Sequence, residues 1–513
     1  MSHTTTHLRR AVVAGLGAIS MIALAGCSAP DAGTGGNGGS AGGGTITVAE
    51  TTAPTSLDPQ RSSMFADRFA WQLSYECLMQ TTPDGEVVPG LATGFEKSAD
   101  GLSYTFALRD GVTFSNGDTL DADDVVYTFE RLTTSPERID KELFPTYSGV
   151  EKVDASHVTF TLKSPDAGFV NNMANPLVWG CAILSKTADK ENLATQMIGT
   201  GPWTQSAYEP NTSLQLDRNA DYWGEKTKSA KLSVLYMPNM GTQVSNLKAG
   251  KVDIIFPDQG SAKGLKSDKI EVAQAHTDST IFLQINDTKA PFDNPKVRQA
   301  LALAFDRQAL ADQAYGGAAL PSSYLPPSLA WAPTLDQVPN YQPDAAKAKQ
   351  LLADAGFANG VKTKLMYISG YDPGTNDLLA TMQSQLAAVG IDVELEPLEG
   401  GTWGDRLTSL DYDLSWNAQS YYPNPYQYIA PAPGRQGPVP TELQKLIDGA
   451  LNAGSQEEFQ QALAEVEKKE GELVYPTLTL LATDMFVANT AGMTGIDIPA
   501  SQSRTFLANV EKK

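Results

Sequence analysis

The sequence predicts an α/β protein, and two regions of the chain carry this prediction. Between Ala345 and Ser420, helical stretches that end at Gly356 and Gly390 are each followed by an apolar stretch of strand length. A helix, a glycine stop and a buried strand in succession are typical of helices packed on a sheet. Between Gly85 and Ser185 the pattern changes to short alternating strands and tight turns, which indicates a hairpin-rich module. A chain of 513 residues is long enough for two or three domains.

The N-terminus has the pattern of a bacterial lipoprotein signal peptide. Arg9 and Arg10 precede an apolar stretch from Ala11 to Leu24, which is too short for a permanent membrane-spanning helix. Small residues then lead directly to Cys27. We expect residues 1–26 to be removed and Cys27 to be lipidated, since each buried methylene of an acyl chain adds about 0.8 kcal/mol of membrane affinity. An ordinary secretory signal or an uncleaved membrane helix is the alternative interpretation.

Residues 27–44 are predicted to be a tether that follows the lipidated cysteine. They are mostly Gly, Ala, Ser, Thr and Asn, without a side chain large enough to build a core. A flexible chain of this length has a root-mean-square reach of roughly 20–25 Å. The expected location is therefore the outer face of the cell membrane, on the periplasmic or extracellular side.

The first folded elements are predicted from periodicity. Thr45–Val48 alternates as a strand. A helix with a buried stripe is predicted from four residues at intervals of four, namely Phe65, Phe69, Leu73 and Cys77. In the hairpin-rich module we expect an alternating strand, its returning partner and a helix capped by Asp121, with the strands at Tyr104–Leu108 and Val112–Phe114.

The second half of the chain continues the helix and strand alternation. Asn294 can cap a helix that has Pro295 at its first position, and Ser455 with Glu458 forms a capping box. Further helices are predicted at Ala346–Ala355 and Leu378–Val389, and strands at Leu214–Leu216, Val252–Ile255, Ile281–Ile285, Leu365–Ile368, Ile391–Leu395 and Val474–Leu481. No chemistry is assigned to the tail from Ala482 to Lys513.

Charge and motifs exclude several function classes. The formal net charge is −21, and loss of two arginines with residues 1–26 makes the mature chain about −23, so nucleic acid is a poor partner. The sequence lacks the Gly-x-Ser-x-Gly, Ser-x-x-Lys with Lys-Thr-Gly, and His-Glu-x-x-His motifs of hydrolases. We therefore expect a protein that is not an enzyme and that needs no cofactor.

Few residues could bind a metal or form a disulfide. His157 and His276 are the histidines that follow the signal peptide, and no His/Cys cluster has ligand spacing. His157 is expected at the edge of a sheet. Cys77 and Cys181 remain after Cys27, and in an oxidising compartment they form either a disulfide or two buried thiols.

Five stretches of the chain resemble the extracytoplasmic solute-binding proteins of the peptide and nickel importer family (family 5). They are Phe114–Asp118 with Asp123–Tyr127, Gly199–Trp203 with Arg218–Trp223, Leu247–Ile254, Asn294–Arg307, and Gln350–Phe357. Their order and spacing match the family over nearly all of the chain after Gly44.

The resemblance implies a bilobal periplasmic-binding-protein-like fold of type II, in its three-domain variety, with the ligand cleft between the lobes. It implies lobe 1 at 45–84 and 197–285, an inserted hairpin-rich domain of lobe 1 at 85–196, lobe 2 at 286–484, and a return to lobe 1 at 485–513. The implied function is capture of an oligopeptide or dipeptide for an ABC permease and ATPase complex, by a monomer. Nickel is the weakest of the family's ligands for this chain.

The resemblance also implies a ligand-binding segment around Trp416. In peptide-binding members a carboxylate three residues after this tryptophan pairs with the ligand's ammonium group, and this chain has Gln419 there. An amide forms hydrogen bonds but carries no charge. Tyr421, Tyr422 and Trp403 are the other expected contacts, because aromatic rings stack on sugars or peptide side chains.

Three alternatives to peptide import remain open. The ligand could be an oligosaccharide or another polar organic molecule, imported in the same way. The protein could be a surface-anchored hydrolase, which the missing motifs disfavour. It could also be a signalling receptor or a chaperone-like member that binds peptides without transporting them.

Overall fold

The structure is a computed structural model, and it describes residues 43–61, 65–82, 86–134, 146–174, 181–188, 193–369, 374–420, 437–475 and 477–512. The helices of these residues are α1 (Phe65–Trp71), α2 (Ala122–Thr134), α3 (Phe169–Asn172), α4 (Met240–Lys248), α5 (Gln259–Ala262), α6 (Pro295–Leu303), α7 (Arg307–Tyr315), α8 (Ala345–Asp354), α9 (Thr375–Val389), α10 (Gly400–Thr408), α11 (Thr441–Leu451) and α12 (Gln456–Leu473).

The strands of the described residues alternate with these helices along the chain. They are β1 (Thr45–Glu50), β2 (Met79–Thr81), β3 (Val87–Pro89), β4 (Ala92–Lys97), β5 (Ser103–Leu108), β6 (Tyr147–Lys152), β7 (His157–Leu162), β8 (Trp203–Glu209), β9 (Ser213–Arg218), β10 (Lys231–Tyr236), β11 (Ile254–Ile255), β12 (Ile270–Ile285), β13 (Ala319–Pro321), β14 (Val361–Ile368), β15 (Ile391–Leu398), β16 (Leu414–Ser420), β17 (Thr477–Thr490), β18 (Met493–Thr494) and β19 (Glu511–Lys512).

One mixed sheet runs through the molecule in the order β15-β14-β16-β12-β17-β11-β1-β10-β9-β8, with β13 also paired to β17. Its two longest strands, β12 and β17, are antiparallel partners at its centre. The first half of β12 pairs with the end of β17 between Ile270 and His276, and the second half pairs with its beginning between Thr280 and Gln284. The register shifts between His276 and Thr280. This irregular point divides the sheet into two halves.

Each half of the sheet has its own hydrophobic core. The core of lobe 1 joins residues from Ile46 to Tyr236 with residues from Met485 to Val510, and a smaller cluster around Leu247 extends it. The core of lobe 2 contains residues from Ile281 to Leu481, and a second cluster around Phe459 extends it. Because the segment after Met485 packs into lobe 1, the chain passes between the lobes once in β12 and once in β17.

A four-stranded antiparallel sheet, in the order β4-β5-β7-β6, adds to lobe 1. Helix α2 covers it, and Asp121 caps this helix by accepting hydrogen bonds from the N–H groups of Asp123 and Asp124. Phe160 packs edge-on against Phe129 and Phe106, with ring centroids 4.7 and 5.5 Å apart. Each such aromatic pair adds about 0.5–1.5 kcal/mol beyond its buried area.

Local signals place most helix ends correctly. Asn294 accepts a hydrogen bond from the N–H of Lys296, with Pro295 at the first position of α6. Ser455 accepts from the N–H of Glu458 at the start of α12. Gly390 ends α9 with φ +96°, a left-handed conformation that favours glycine. These caps agree with the sequence prediction.

Three element predictions are corrected by the structure. Helix α1 ends at Trp71, so Cys77 is buried but does not lie on it; the carbonyl of Ser74 accepts from the N–H of Gly201, which prevents further helical bonding there. Val112–Phe114 is not a strand, because only an isolated bridge pairs Thr113 with Thr119. His157 begins β7, which lies between β5 and β6 rather than at an edge.

Cys77 and Cys181 form a disulfide between residues 104 positions apart. Both are buried in the lobe 1 core. A closed loop of this length restricts the unfolded chain, which contributes about 4.7 kcal/mol in the chain-entropy estimate.

Candidate functional site

A cavity of about 480 Å³ lies between the two lobes. Small-molecule sites are typically about 300–1,000 Å³, so the cavity suits a ligand of a few residues. Lobe 1 contributes Phe69, Phe256, Pro257, Asp258, Gln259, Gly260, Gln502 and Arg504; the central strands contribute Ser279, Ile281, Thr483, Asp484, Met485 and Phe486; lobe 2 contributes Ala314, Tyr315, Ala318, Gly374, Asp377 and Ala418.

The floor of the cavity is the irregular point where β12 and β17 pass between the lobes. Thr277 donates to the carbonyl of Thr483 at 2.7 Å and accepts from Gln502 at 2.9 Å. Asp278 is buried there and accepts a hydrogen bond from Ser328. Burial raises the pKa of Asp278 to about 6, although the Ser328 hydrogen bond opposes this shift. The crossing strands are thus fixed by polar side chains rather than by a continuous ladder.

The residues around the small sheet also contact lobe 2 outside the cavity lining. The N–H of Ala167 donates to the carbonyl of Leu451 at 3.0 Å, and the ammonium group of Lys97 donates to the carbonyl of Ala453 at 3.1 Å. Lys97 ends β4 of the small sheet and Ala167 follows β7, whereas Leu451 ends helix α11 and Ala453 follows it. These bonds join the small sheet's part of the chain to the cluster around Phe459.

Three acidic residues line the cavity, one from each part of its wall. Asp258 caps α5 by accepting from the N–H of Ser261 at 2.8 Å. Asp377 lies in the first turn of α9 and is exposed. The side chain of Asp484 is only 1% exposed, and His276 Nδ1 lies 2.7 Å from its Oδ1. Carboxylates at these positions favour a ligand group that carries positive charge.

Arg504 is the cation that the described residues contribute to the same wall. Its Cζ lies 3.6 Å from the ring centroid of Phe256 and 4.0 Å from that of Phe69. Its Nε donates to Glu50 at 2.7 Å, and its Nη1 donates to the carbonyl of Gln502 at 3.0 Å. Two rings and two acceptors therefore fix the guanidinium group at the cavity surface.

Lobe 1 contains a second cavity of about 480 Å³, on the other side of the segment 501–505. Residues 502 and 504 line the inter-lobe cavity, whereas residues 501, 503 and 505 line the second one, so this segment separates the two cavities. Glu76 lies in its wall and accepts from Trp223, Tyr222 and Thr200 at 2.8, 2.8 and 2.9 Å. Burial raises the pKa of Glu76 to about 7, against these hydrogen bonds.

Trp416 occupies the lobe 2 core in this structure. Its ring is 1% exposed, and its residue pairs with Leu283 across β12 and β16. Ala418, two residues later on the same strand, is the residue that lines the cavity. A contact between Trp416 and a ligand therefore stays a prediction. In this structure, strand β16 reaches the cleft at Ala418.

The other residues predicted to bind ligand are not brought together by the described part of the chain. Trp403 lies on α10 and packs near Leu407 and Tyr412. Its Nε1 donates to the hydroxyl of Ser415 at 3.0 Å. Trp403 is not among the described residues that line the inter-lobe cavity. Gln419 pairs with Thr280 in the sheet, next to the cavity floor. Tyr421, Tyr422 and the lipidation site Cys27 lie outside the described residues.

The two histidines that follow the signal peptide lie in separate parts of the molecule, and no metal site was predicted from them. His157 Nδ1 lies 2.9 Å from Asp154 Oδ1 in the small sheet, whereas His276 contacts Asp484 beside the cleft. In the described parts of the chain, no group of three or more His, Cys, Asp or Glu residues could hold a metal ion.

Sequence reasoning missed the contribution of the C-terminal region. Residues 483–486, Gln502 and Arg504 line the cleft, although no chemistry was predicted after Ala482. Arg504 lies in a loop, where no hydrophobic periodicity marks it. Its place in the cleft follows only from the crossing of β17 between the lobes. The implied return of residues 485–513 to lobe 1 was the one indication that this segment passes the cleft.

Comparisons with known proteins agree with this architecture. The family model described as "Bacterial extracellular solute-binding proteins, family 5 Middle" matches residues 86–437. Heme-binding protein A of Haemophilus influenzae is 31% identical over 60% of this chain and 61% of its own length. Di/tripeptide-binding protein 2 of Pseudomonas aeruginosa is 30% identical over 72% of this chain and 76% of its own. The chain thus spans about three fifths to three quarters of these curated relatives.

A solved structure extends the similarity to nearly the whole fold. HbpA2 from Haemophilus parasuis superposes with a TM-score of 0.78 at 26% identity, and the match covers 91% of this chain and all of that one, at 100%. Among the helices of the described residues, none combines the length and the apolar character needed to cross a membrane.

Proposed function

Because the chain belongs to the bacterial extracellular solute-binding proteins of family 5, we propose that it captures a dipeptide or oligopeptide outside the cytoplasmic membrane. The captured ligand is then delivered to an ABC permease and ATPase complex for ATP-driven uptake. The protein acts by binding and release and makes no covalent change to its ligand. It works as a monomer.

The observation that carries the peptide assignment is the mixed charge of the inter-lobe cavity. Asp258, Asp377 and Asp484 offer negative charge, and Arg504 offers a guanidinium group. A free peptide carries an ammonium group and a carboxylate, and charge-assisted hydrogen bonds to both are the strong ones. These residues compensate for the uncharged Gln419, and Gln419, Tyr421 and Tyr422 complete the ligand contacts in this proposal.

Closure of the lobes encloses the ligand. The paired strands β12 and β17 connect the lobes, and a few residues around the register shift between His276 and Thr280 absorb the rotation. The contacts of Ala167 and Lys97 with the end of α11 form in the closed state. The proposal keeps lobe 1 at 45–84, 197–285 and 485–513, its insertion at 85–196, and lobe 2 at 286–484.

The lipid anchor is the second part of the proposal. Residues 1–26 are removed, Cys27 carries the acyl chains, and residues 27–44 let the globule turn toward its permease. Cys27→Ser is expected to release the protein from membranes into the soluble fraction. Recovery of this variant in the membrane fraction would refute lipid anchoring.

Native mass spectrometry of the protein expressed from Gly44 onward tests the ligand class. The expected result is a spread of short peptides released on denaturation, since an enclosed cleft retains its ligand through purification. The isosteric variant Asp377→Asn, which removes one negative charge from the cavity wall, should retain fewer of them. A single non-peptide mass, such as a glycan or another organic molecule, would refute the peptide assignment and favour the alternative that the heme-binding relative illustrates.

A further inference from the structure

The second cavity of lobe 1 is large enough to hold a ligand of its own. Its volume of about 480 Å³ lies within the range of about 300–1,000 Å³ that is typical of small-molecule sites. The described residues that line it lie between Gln72 and Glu225 or between Asp497 and Asn509, so lobe 2 contributes none of them. Peptide capture between the lobes therefore does not account for this cavity.

Two aromatic rings form a rigid part of the cavity wall. Tyr222 and Trp223 are both half-buried, and their ring centroids are 5.5 Å apart. Glu76 accepts from the hydroxyl of Tyr222 and from Nε1 of Trp223, each at 2.8 Å. The Cζ of Arg109 lies 4.2 Å from the centroid of the Trp223 ring, and Arg109 is outside the described lining. Because both rings are fixed before a ligand arrives, they favour stacking of a ligand ring.

Glu76 positions these rings and has no acceptor site left for a ligand. Its Oε1 also accepts from Nε2 of Gln80 at 3.2 Å, and its Oε2 accepts from the hydroxyl of Thr200 at 2.9 Å. A carboxylate has about four acceptor sites, and the four donors occupy them. Other polar groups of the wall must therefore recognise the ligand.

Two buried donors of the wall have no hydrogen-bond partner within the described parts of the chain. They are Nε2 of Gln72, which is 3% exposed, and Nε1 of Trp203, which is 1% exposed. Gln72 is held at its other end, because its Oε1 accepts from the hydroxyl of Ser503 at 2.6 Å. A buried donor without a partner costs about 1–3 kcal/mol. A ligand oxygen that reaches either nitrogen removes this cost, so the wall favours a ligand with acceptor groups.

The charges of the wall disfavour an anionic ligand. Glu76, Glu225 and Asp497 line the cavity, whereas its described lining contains no Lys, Arg or His. Glu225 is exposed and forms an ion pair with Lys228 at 2.5 Å, and Asp497 is exposed. Carboxylates without a cation among them repel an anion.

The unpaired donors also disfavour a simple cation. An ammonium group has three donors and no acceptor, so it would leave Gln72 and Trp203 without a partner. A hydroxyl group both donates and accepts, so it can pair with these nitrogens and with the carboxylates. An uncharged ring that carries several hydroxyl groups therefore matches the rings, the donors and the acids of this wall.

We propose that the second cavity of lobe 1 binds a neutral monosaccharide. The sugar ring stacks on the aromatic pair Tyr222 and Trp223, and its hydroxyl groups pair with Gln72 and Trp203. This site is separate from the inter-lobe cavity and does not depend on the proposed peptide function.

Calorimetric titration of the protein from Gly44 onward tests the ligand class. The probes are the neutral sugars glucose, galactose, mannose and N-acetylglucosamine, the cation glucosamine and the anion glucuronate. We expect at least one neutral sugar to bind at least about tenfold more tightly than glucosamine and glucuronate, which is a difference of about 1.4 kcal/mol. Binding of none of the neutral sugars, or tighter binding of a charged one, would overturn the proposal.

Trp223→Ala tests the place of binding. Removal of the stacking ring should weaken the neutral sugar by about tenfold. Trp331→Ala is the matched control, because Trp331 is partly buried against the cluster around Phe459 and lies outside the described lining of both cavities. This control should bind the sugar as the unmodified protein does. Equal affinity of Trp223→Ala and Trp331→Ala would refute the site.

A second variant keeps the test decisive if Trp223→Ala fails to fold. Ala508 is half-buried and lines the cavity, so Ala508→Phe fills part of the space without removal of a polar side chain. It should abolish sugar binding, and unchanged binding would overturn the proposal.

Competition with tripeptides separates this site from the cleft. The sugar should bind with the same affinity when a mixture of tripeptides is present in excess. Displacement of the sugar by tripeptides would place it between the lobes and overturn the second site. Failure of the tripeptides to bind would contradict the peptide function, whereas sugar binding that Trp223→Ala weakens would still support this inference.

Discussion

Replacement of Trp416 by alanine should destabilise the ligand-free protein strongly. Trp416 is 1% exposed and belongs to the lobe 2 core, together with its cross-strand neighbour Leu283 and with Leu414. Removal of a buried aromatic side chain of this size costs about 3–5 kcal/mol, because apolar burial is lost and a cavity remains. Ala418, which lines the cleft, is on the same strand, so a binding defect alone would not identify the role of Trp416.

Urea unfolding of the ligand-free variants measures this loss. Trp403→Ala is the matched control, since Trp403 is only partly buried and makes one hydrogen bond, to Ser415 at 3.0 Å. That bond and its small cluster should contribute about 1–2 kcal/mol. We therefore expect the loss of unfolding free energy in Trp416→Ala to exceed that in Trp403→Ala by at least about 2 kcal/mol.

A different result would refute this reasoning. If Trp416→Ala kept its unfolding free energy and lost tripeptide binding, the ring would face the ligand in the binding-competent form. The sequence-based expectation for Trp416 would then hold, and the packing of β16 against lobe 2 would have to change on ligand binding.

Three further predictions concern lobe 1. Burial raises the pKa of Glu76 from 4.5 to about 7, so the folded protein holds the Glu76 proton more tightly than the unfolded chain does. The protonated Glu76 contributes its full stabilisation below pH 4.5, and the unfolding free energy falls by up to about 3 kcal/mol as the pH rises to 7. Glu76→Gln should remove that part of the slope in urea unfolding between pH 4.5 and 8, and an unchanged slope would contradict the shift. The double variant Cys77→Ala/Cys181→Ala should lose up to about 4.7 kcal/mol of unfolding free energy. A reductant should have no further effect on this variant. Equal stability of the variant and the unmodified protein would show that other contacts order the loop. In Gly199→Ala the new methyl group would overlap the backbone oxygen of Ser74, so we expect a loss of about 1–3 kcal/mol, and wild-type stability would show that this contact relaxes freely.

Local chemistry made part of this fold readable from the sequence. Asn294 with Pro295 starts a helix, and Gly390 ends one. Each effect is local, so these helix ends can be predicted without knowledge of the tertiary structure. The α/β class followed from such units, and the bilobal fold followed from the resemblance to family 5.

Tertiary contacts explain the elements that the sequence did not predict. Beyond α1 the carbonyl of Ser74 accepts from the N–H of Gly201, which is distant in sequence, so the chain does not continue as a helix to Cys77. β12 extends back to Ile270, where polar residues alternate along a half-exposed strand and hide its length. Periodicity alone cannot show such effects.

The candidate site was predicted only in part for a related reason. Strand alternation predicts that Trp416 and Ala418 share a face of β16, but not which of them reaches the cleft. Arg504 and Asp484 come from the segment after Ala482, and their place in the cleft depends on the crossing of β17. The ligand-binding wall is thus assembled by topology more than by local motif.

Hydrogen–deuterium exchange with and without a mixture of tripeptides tests the central claim most directly, because it reports which amides become protected. The account predicts slower exchange on both sides of the inter-lobe cavity, at 256–260 in lobe 1 and at 314–318 and 414–418 in lobe 2. It also predicts slower exchange at the crossing, around 277–281. Protection confined to the second cavity of lobe 1, at 222–225 and 497–501, would contradict it, and so would binding without protection in lobe 2.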